Sequence, residues 1–206
     1  MKKDSNYHHG NLRAALLRAA SQELERSGYE ALSLRELAAS LDVSRSAPYR
    51  HFEDRRALLS ALATDGFDEL SAAYEKSSQS RKGGHARLAD AGRAYLDLAA
   101  KRPQLFRLMF ASDILQGTTL DETLRIAAGR CYQMLERLVA DSLHNADAKT
   151  VKATTIAVMS CTYGFALLRG GDRLKPFMMG ELTSSELVDA ILSVEVPRGF
   201  SRARNR

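Results

Sequence analysis

The sequence contains no long run of apolar residues. Among its 206 residues, no stretch reaches the roughly 18 consecutive apolar side chains that favour a membrane-crossing helix. The N-terminal residues also lack the apolar core of a signal peptide. We therefore expect a soluble, cytoplasmic chain of one or two domains with no membrane partner.

Cysteine is scarce and recognisable catalytic motifs are missing. Cys131 and Cys161 are far apart, with no C-x-x-C and no histidine pair at ligand spacing, so we expect plain buried thiols, no metal site and no cofactor. There is no G-x-S-x-G, no H-E-x-x-H, no glycine-rich phosphate loop and no carboxylate pair at helical spacing on an apolar face. These absences argue against a helical enzyme.

The excess of positive charge is placed at the two ends of the chain. Residues 1–60 carry ten Lys and Arg against eight Asp and Glu, residues 61–196 carry sixteen against seventeen, and residues 197–206 carry four against none. A modestly basic N-terminal part and a large neutral body suit a nucleic-acid-binding domain joined to a second domain.

The segment from Ser33 to Phe52 predicts two short helices joined by a tight turn. Ser33 and Glu36 have the S-x-x-E spacing of a capping box, which predicts a helix start at Ser33. Asp42 stands at the turn, where a residue of positive φ is expected. The helix presents an apolar stripe of Leu34, Leu37, Ala38 and Leu41.

A second helix is predicted from Arg45 to Phe52, with Ser44 as its N-cap. This helix is too short and too polar to be stable in isolation, so we expect its exposed face to serve a binding function. The aromatic ring of either Tyr49 or Phe52 is expected to be buried. The hydrogen-bond donors on the exposed face of this helix are expected to face a DNA groove. Pro48 is tolerable only in the first turn of such a helix.

This helix-turn-helix resembles the tetracycline-repressor (TetR) family of bacterial regulators. The likeness rests on LRELA, VS, YRHF and a basic residue three beyond the Phe, and it extends to YHHGNLRAALLRAA and AYLDLAAKRPQLFRLMF. The resemblance implies base-facing roles for Arg35, Arg45, Ser46 and Tyr49. It implies phosphate contact by Arg55, which matches a phosphate-binding Lys, with assistance from His51. The interpretation as DNA-binding residues covers Arg35, Ser44, Arg45, Ser46, Tyr49, His51 and Arg55.

The chain departs from the family pattern at three places. Asp42 stands where the family usually has Gly, and Ala47-Pro48 replaces a small or hydroxyl residue followed by Leu. A Trp-His-Gly signature typical of the branch this chain resembles is reduced to Gly164 in MSCTYGFALL.

The domain organisation is predicted from composition and periodicity. Residues 1–10 form a flexible arm, residues 11–60 the helix-turn-helix domain, and a helix over residues 54–76 links the domains. The polar stretch SSQSRKGGH opens the C-terminal domain, residues 77–196, and residues 197–206 form a basic disordered tail. We expect an all-α fold of about nine helices, with a C-terminal bundle for ligand binding and dimerisation.

A ligand pocket is predicted in that C-terminal bundle, although a sealed core has the same composition. Its candidate lining residues are Tyr95, Phe106, Met109, Phe110, Met134, Met159 and Tyr163.

The leading hypothesis is a DNA-binding regulator that acts as a ligand-responsive repressor on a near-palindromic operator. Helices over residues 150–169 and 184–194 are expected to form the homodimer seam, and an apolar or aromatic effector is expected to act through the helix over residues 54–76. An architectural DNA-binding protein is the alternative, but DNA packaging alone needs no neutral body of this size. A helical enzyme is the less favoured alternative.

Overall fold

A computed structural model describes residues 12–116, 121–143 and 145–193 of the chain, without the side chains of residues 184, 185, 192 and 193. Over these residues the fold is all-α, with nine α-helices and no strand. The predicted arm and basic tail lie outside the described residues. The helices are α1 (Leu12–Ser27), α2 (Leu34–Ser40), α3 (Arg55–Ser78), α4 (Gly84–Lys101), α5 (Pro103–Phe110), α6 (Glu122–Ser142), α7 (Ala148–Gly170), α8 (Pro176–Met179) and α9 (Ser184–Ser193).

The all-α class and the number of helices agree with the sequence, but two elements differ. The predicted second helix of the helix-turn-helix, from Arg45 to Phe52, is wrong as an α-helix, because the structure has a 3-10 turn at Pro48–Arg50 there. In addition, α8 was not predicted, and it supplies the ninth helix.

Residues 12–66, 104–116 and 121–126 form one compact unit, called unit 1 here. It contains α1, α2, the first part of α3, α5 from Gln104 onward and residues 122–126 of α6. The apolar stripes of these helices meet in a core because each carries leucines at helical spacing. The fully or almost fully buried core side chains include Leu16, Leu24, Leu37, Leu58, Leu62, Leu105, Leu108 and Met109.

Helix α5 belongs to unit 1 through contacts at both of its ends. The Glu25 carboxylate accepts hydrogen bonds from the backbone N–H groups of Gln104 and Leu105, both at 3.1 Å, and so caps the start of α5. Farther along, α5 packs against Gly66 of α3. A Cβ added to Gly66 would lie 2.5 Å from Met109 Sδ, so this close approach requires glycine.

Residues 67–103, 127–143 and 145–193 form the second compact unit, unit 2. It contains the second part of α3, α4, α6 from residue 127 onward, α7, α8 and α9. The start of α4 approaches the end of α6 so closely that a Cβ on Gly84 would lie 2.1 Å from the Asp141 carbonyl oxygen. On the surface, Arg93 of α4 pairs with Asp189 of α9 at 2.6 Å.

The compact units divide at a different place from the polar linker of residues 77–85. The chain passes from one unit to the other inside α3, between residues 66 and 67, at the start of α5, between residues 103 and 104, and inside α6, between residues 126 and 127. The linker only marks where α3 ends and α4 begins. A long helix can pack its two halves on different partners, which leaves no mark in local composition. The domain limits derived from composition stay a prediction.

Candidate nucleic-acid interface

Helix α2 begins at Leu34, with Ser33 as its extended N-cap residue. The start agrees with the sequence, but the capping box is wrong, because the Ser33 side chain makes no cap hydrogen bond. The apolar side of α2 is nevertheless buried through Leu34, Leu37 and Ala38. Burial and not side-chain capping therefore holds the seven residues of this helix.

The turn after α2 is a Schellman motif centred on Asp42. Asp42 has a φ of 53°, as expected for the residue that replaces the usual glycine. Its N–H bonds to the Ala39 carbonyl at 3.2 Å, and the Val43 N–H bonds to the Ala38 carbonyl at 3.0 Å. These bonds fix the direction in which the chain leaves α2.

The following segment, residues 44–52, forms tight turns instead of a regular helix. Ala47 N–H bonds to Ser44 O at 2.9 Å, and His51 N–H bonds to Pro48 O at 2.9 Å, both with the three-residue spacing of a 3-10 helix. Pro48 explains this geometry, because its ring lacks an N–H and would collide with the carbonyl four residues earlier. The Ser44 carbonyl therefore accepts a backbone hydrogen bond, and its hydroxyl caps no helix.

Two side chains anchor this segment to unit 1. Pro48 and Phe52 are both buried, whereas Tyr49 is 49% exposed, which decides which aromatic ring points inward. The guanidinium of Arg13 lies over the Phe52 ring at 5.4 Å from its centroid. The anchored segment carries an exposed polar surface that, with α2 beside it, contains Arg35, Ser44, Arg45, Ser46, Tyr49 and His51.

Arg55, the first residue of α3, contacts the backbone of the same unit. Its Nε donates to the Leu32 carbonyl at 3.0 Å, and its Nη2 donates to the Tyr29 carbonyl. The helix that it begins is capped by Asp54, whose Oδ1 accepts from the Ala57 N–H at 2.7 Å.

The seven candidate pocket residues are divided between the two units. Phe106 and Met109 are core residues of unit 1, and the Phe106 ring lies 4.9 Å from that of Phe110 in the same unit. The other candidates belong to unit 2, where Tyr95 is buried and Met159 is 36% exposed. Met134 and Tyr163 are half-buried there.

Unit 2 encloses a group of uncharged polar side chains that sequence reasoning did not assemble. Burial raises the pKa of Tyr74 and of Tyr95 above the ordinary value, and it raises the pKa of the Cys131 thiol to about 11. Cys161 is exposed, so the prediction of a buried thiol is wrong for that residue. Apart from the Cys131 thiol, the buried Ser71 Oγ has no hydrogen-bond partner among the described residues. In the sequence, the sign of this buried polar group is the hydroxyl of Ser71 on an otherwise apolar face of α3.

Comparisons with known proteins identify both parts of the chain. Residues 16–62 match the family profile described as bacterial regulatory proteins, tetR family. Residues 88–193 match the profile described as tetracyclin repressor-like, C-terminal domain. The Trp-His-Gly branch stays a prediction.

Individual proteins with similar sequence or structure agree with these family profiles. The chain is 26% identical over 155 residues to the HTH-type transcriptional activator FasR of Mycolicibacterium smegmatis, covering 73% of this chain and 71% of FasR. A protein of unknown function from Rhodococcus sp. RHA1 is 30% identical, with a TM-score of 0.77 over 92% of this chain and 95% of that one. AibR in complex with isovaleryl coenzyme A and operator DNA has the same fold, with 21% identity and a TM-score of 0.58 over 87% and 95% of the two chains.

The C-terminal profile alone spans half of the sequence, and the N-terminal profile covers α2, the turn after it and the polar segment that follows. The chain therefore belongs to the TetR family of bacterial transcriptional regulators.

Proposed function

We propose that the chain is a ligand-responsive repressor that binds a near-palindromic operator as a homodimer. The observation that carries this proposal is the exposed polar surface at residues 44–51, which the buried side chains of Pro48 and Phe52 hold against the core. The hydrogen-bond donors of this surface, together with Arg35 of α2, suit two tasks. Arg35, Arg45, Ser46 and Tyr49 supply contacts to base edges, and Ser44 and His51 supply contacts to phosphates.

The dimer seam is proposed on α7 and α9. Helix α7 carries large apolar side chains on its outer side, which a monomer would leave in water. By length and composition α7 could also cross a membrane, and 28% of its apolar 18-residue stretch is buried inside the structure. We favour a second copy as the cover, because the inner side of α7 already packs within unit 2 through Thr155 and Phe165. The exposed side chains are Ile156, Met159, Leu167 and Leu168.

Ile156→Arg should disrupt this dimer. Ile156 is 54% exposed in the single chain, so the variant should fold, but an unpaired charge would be buried in the seam. Sedimentation at micromolar concentration should then show monomers, and operator affinity should fall by about 100-fold or more because the two half-sites are no longer linked. Ile126→Arg, at a 55% exposed position of α6, is the matched control and should remain a dimer. A monomeric unaltered protein would contradict the proposal.

The effector site is proposed in unit 2, lined by Tyr95, Met134 and Tyr163, whereas Met159 belongs to the exposed side of α7 that is proposed as the dimer seam. The buried polar residues of the described chain outside the tyrosines are serines and threonines, and no charged side chain is among them. An enclosed ion without a partner would be costly there, so the enclosed part of the effector should be uncharged and apolar or aromatic. The complex of AibR with isovaleryl coenzyme A supports small-molecule control by a protein of this fold.

Binding of effector and operator should be coupled reciprocally. If a compound lowers operator affinity by some factor, operator must lower affinity for that compound by the same factor. Calorimetric titration with isovaleryl coenzyme A and with uncharged aromatic compounds, each with and without operator, measures both. Tyr163→Trp should remove the response and leave operator affinity unchanged. A bound compound with equal affinity in both titrations would exclude allosteric release.

FasR, by its name an activator, motivates the second candidate direction of control. A reporter gene behind the operator distinguishes the two. Adding the protein should lower transcription if it is a repressor, and the effector should restore it. Higher transcription on adding the protein would instead identify an activator. In either case we propose a cytoplasmic protein without catalytic activity.

A further inference from the structure

We propose that Arg55 is a positioning residue that fixes the start of α2, and that it does not neutralise a DNA phosphate. The family resemblance assigns a phosphate contact to this position. In the structure, however, the guanidinium is directed at two backbone carbonyls of unit 1, those of Leu32 and Tyr29. Hydrogen bonds from a charged donor to such carbonyls are stronger than neutral ones.

The two carbonyls belong to the turn that leads into α2. The chain leaves α1 at Gly28, whose φ of 81° suits glycine, and makes a 3-10 turn at Tyr29–Ala31. That turn is closed by a Leu32 N–H to Tyr29 carbonyl bond of 3.4 Å, which is long. Arg55 therefore bonds to both ends of a weakly closed turn.

Burial of Leu32 and Leu34 holds the start of α2 against the core, and Arg55 bonds the backbone carbonyls that precede it. Helix α2 is only seven residues long, and Ser33 supplies no side-chain cap. Short helices depend on tertiary contacts for their stability. Because Leu32 directly precedes the N-cap residue, a bond to its carbonyl limits both the position and the direction of the first turn of α2.

The place of Arg55 in α3 also favours this role. A cation in the first turn of a helix is disfavoured by the helix dipole, so an arginine there needs acceptors of its own. The Leu32 and Tyr29 carbonyls supply them. The backbone of α3 does not need the Arg55 side chain for capping, because Asp54 already accepts from the Ala57 N–H.

Arg56 provides a matched control on the next residue. It carries the same charge, but its Nη2 donates to the Gln116 carbonyl at 3.1 Å and to the Asp113 carbonyl at 3.4 Å, on the loop after α5. Removing Arg56 therefore changes the net charge of the protein equally without releasing the turn before α2.

The test compares Arg55→Gln, Arg55→Ala and Arg56→Ala with the unaltered protein, and it rests on operator binding, which the unaltered protein establishes first. Glutamine is the informative substitution, because its Nε2 is as many bonds from the backbone as the arginine Nε. It can therefore keep the bond to the Leu32 carbonyl while it loses the charge. Affinities for operator and for random DNA are measured over a range of salt concentrations.

We expect Arg55→Gln to keep the salt dependence of the unaltered protein and to stay within about threefold of its operator affinity. Arg55→Ala should lose about tenfold on operator and little on random DNA, and its α2 amides should lose hydrogen-exchange protection, unlike those of Arg56→Ala. A salt slope reduced by about 0.9 per contact in Arg55→Gln, with equal losses on both DNAs, would overturn the proposal. That slope decides even if Arg55→Ala does not fold, and a failure of the unaltered protein to bind DNA would count against the proposed function. In that case the exchange comparison of Arg55→Ala with Arg56→Ala tests the positioning role, with Arg55→Gln expected to stay protected, and equal protection of the α2 amides in the two alanine variants would overturn it.

Discussion

Single residues set the geometry of the polar segment that follows α2. Asp42 takes a left-handed conformation and ends α2, Pro48 converts the next helix into tight turns, and Phe52 anchors them. The side chain of Arg45 is thereby left exposed. We propose this arginine as the main base-reading group because a guanidinium can form two hydrogen bonds to one guanine.

Arg45→Ala should weaken operator binding by about 1–3 kcal/mol and relax selectivity at one base pair of each half-site. Titration of operator and of single-base variants at one salt concentration measures both effects. Arg81→Ala, which removes the same charge from an exposed position between α3 and α4, should change operator affinity little. Equal losses of Arg45→Ala on operator and on random DNA would show that Arg45 contacts only phosphate.

Local chemistry made several residues predictable and left others out of reach. The positive φ of Asp42 and the cap at Asp54 follow from residue type and immediate neighbours, and the structure has both. The acceptors of Arg55 could not be predicted, because they lie more than twenty residues back along the chain. Ser33 makes no capping hydrogen bond although its spacing is right, since spacing alone does not fix the rotamer of a serine side chain.

At the scale of elements, helix limits were predictable and helix partners were not. Periodicity gives the apolar face of α5, but not that Glu25, 79 residues before Gln104, caps it. For this reason Phe106 and Met109 were predicted to line a pocket, whereas they fill the core of unit 1. A segment that would be apolar on nearly all sides of a helix predicts that the helix is buried, but it does not indicate which other elements the helix contacts.

Packing between elements makes a direct prediction at Gly84. Gly84→Ala should lower the free energy of unfolding by about 3 kcal/mol, because its Cβ would collide with the Asp141 carbonyl in the backbone of α6. Gly129→Ala is the control, since nothing lies within 4 Å of its Cβ. It should raise stability by about 0.5–1 kcal/mol through helix propensity alone. Urea denaturation measures both, and similar stability of the two variants would refute the close approach.

At the scale of the whole molecule, continuous helices join unit 1 and unit 2, for which we propose operator reading and effector binding. Helices α3 and α6 both contribute residues to the two units, so they are covalent elements through which effector binding can influence operator binding. Such coupling requires two states that the effector and the operator favour differently. In the proposed homodimer, two copies of the chain would read two half-sites related by two-fold symmetry.

The central claim is that a dimer of this protein reads a near-palindromic site. Selection from a pool of random duplexes, followed by sequencing and titration, tests it directly. The account predicts one enriched near-palindrome with half-sites about 10–10.5 base pairs apart or a multiple of that, bound about 100-fold or more tightly than either half-site alone. Selection without an enriched sequence, or equal affinity for the full site and a single half-site, would contradict it.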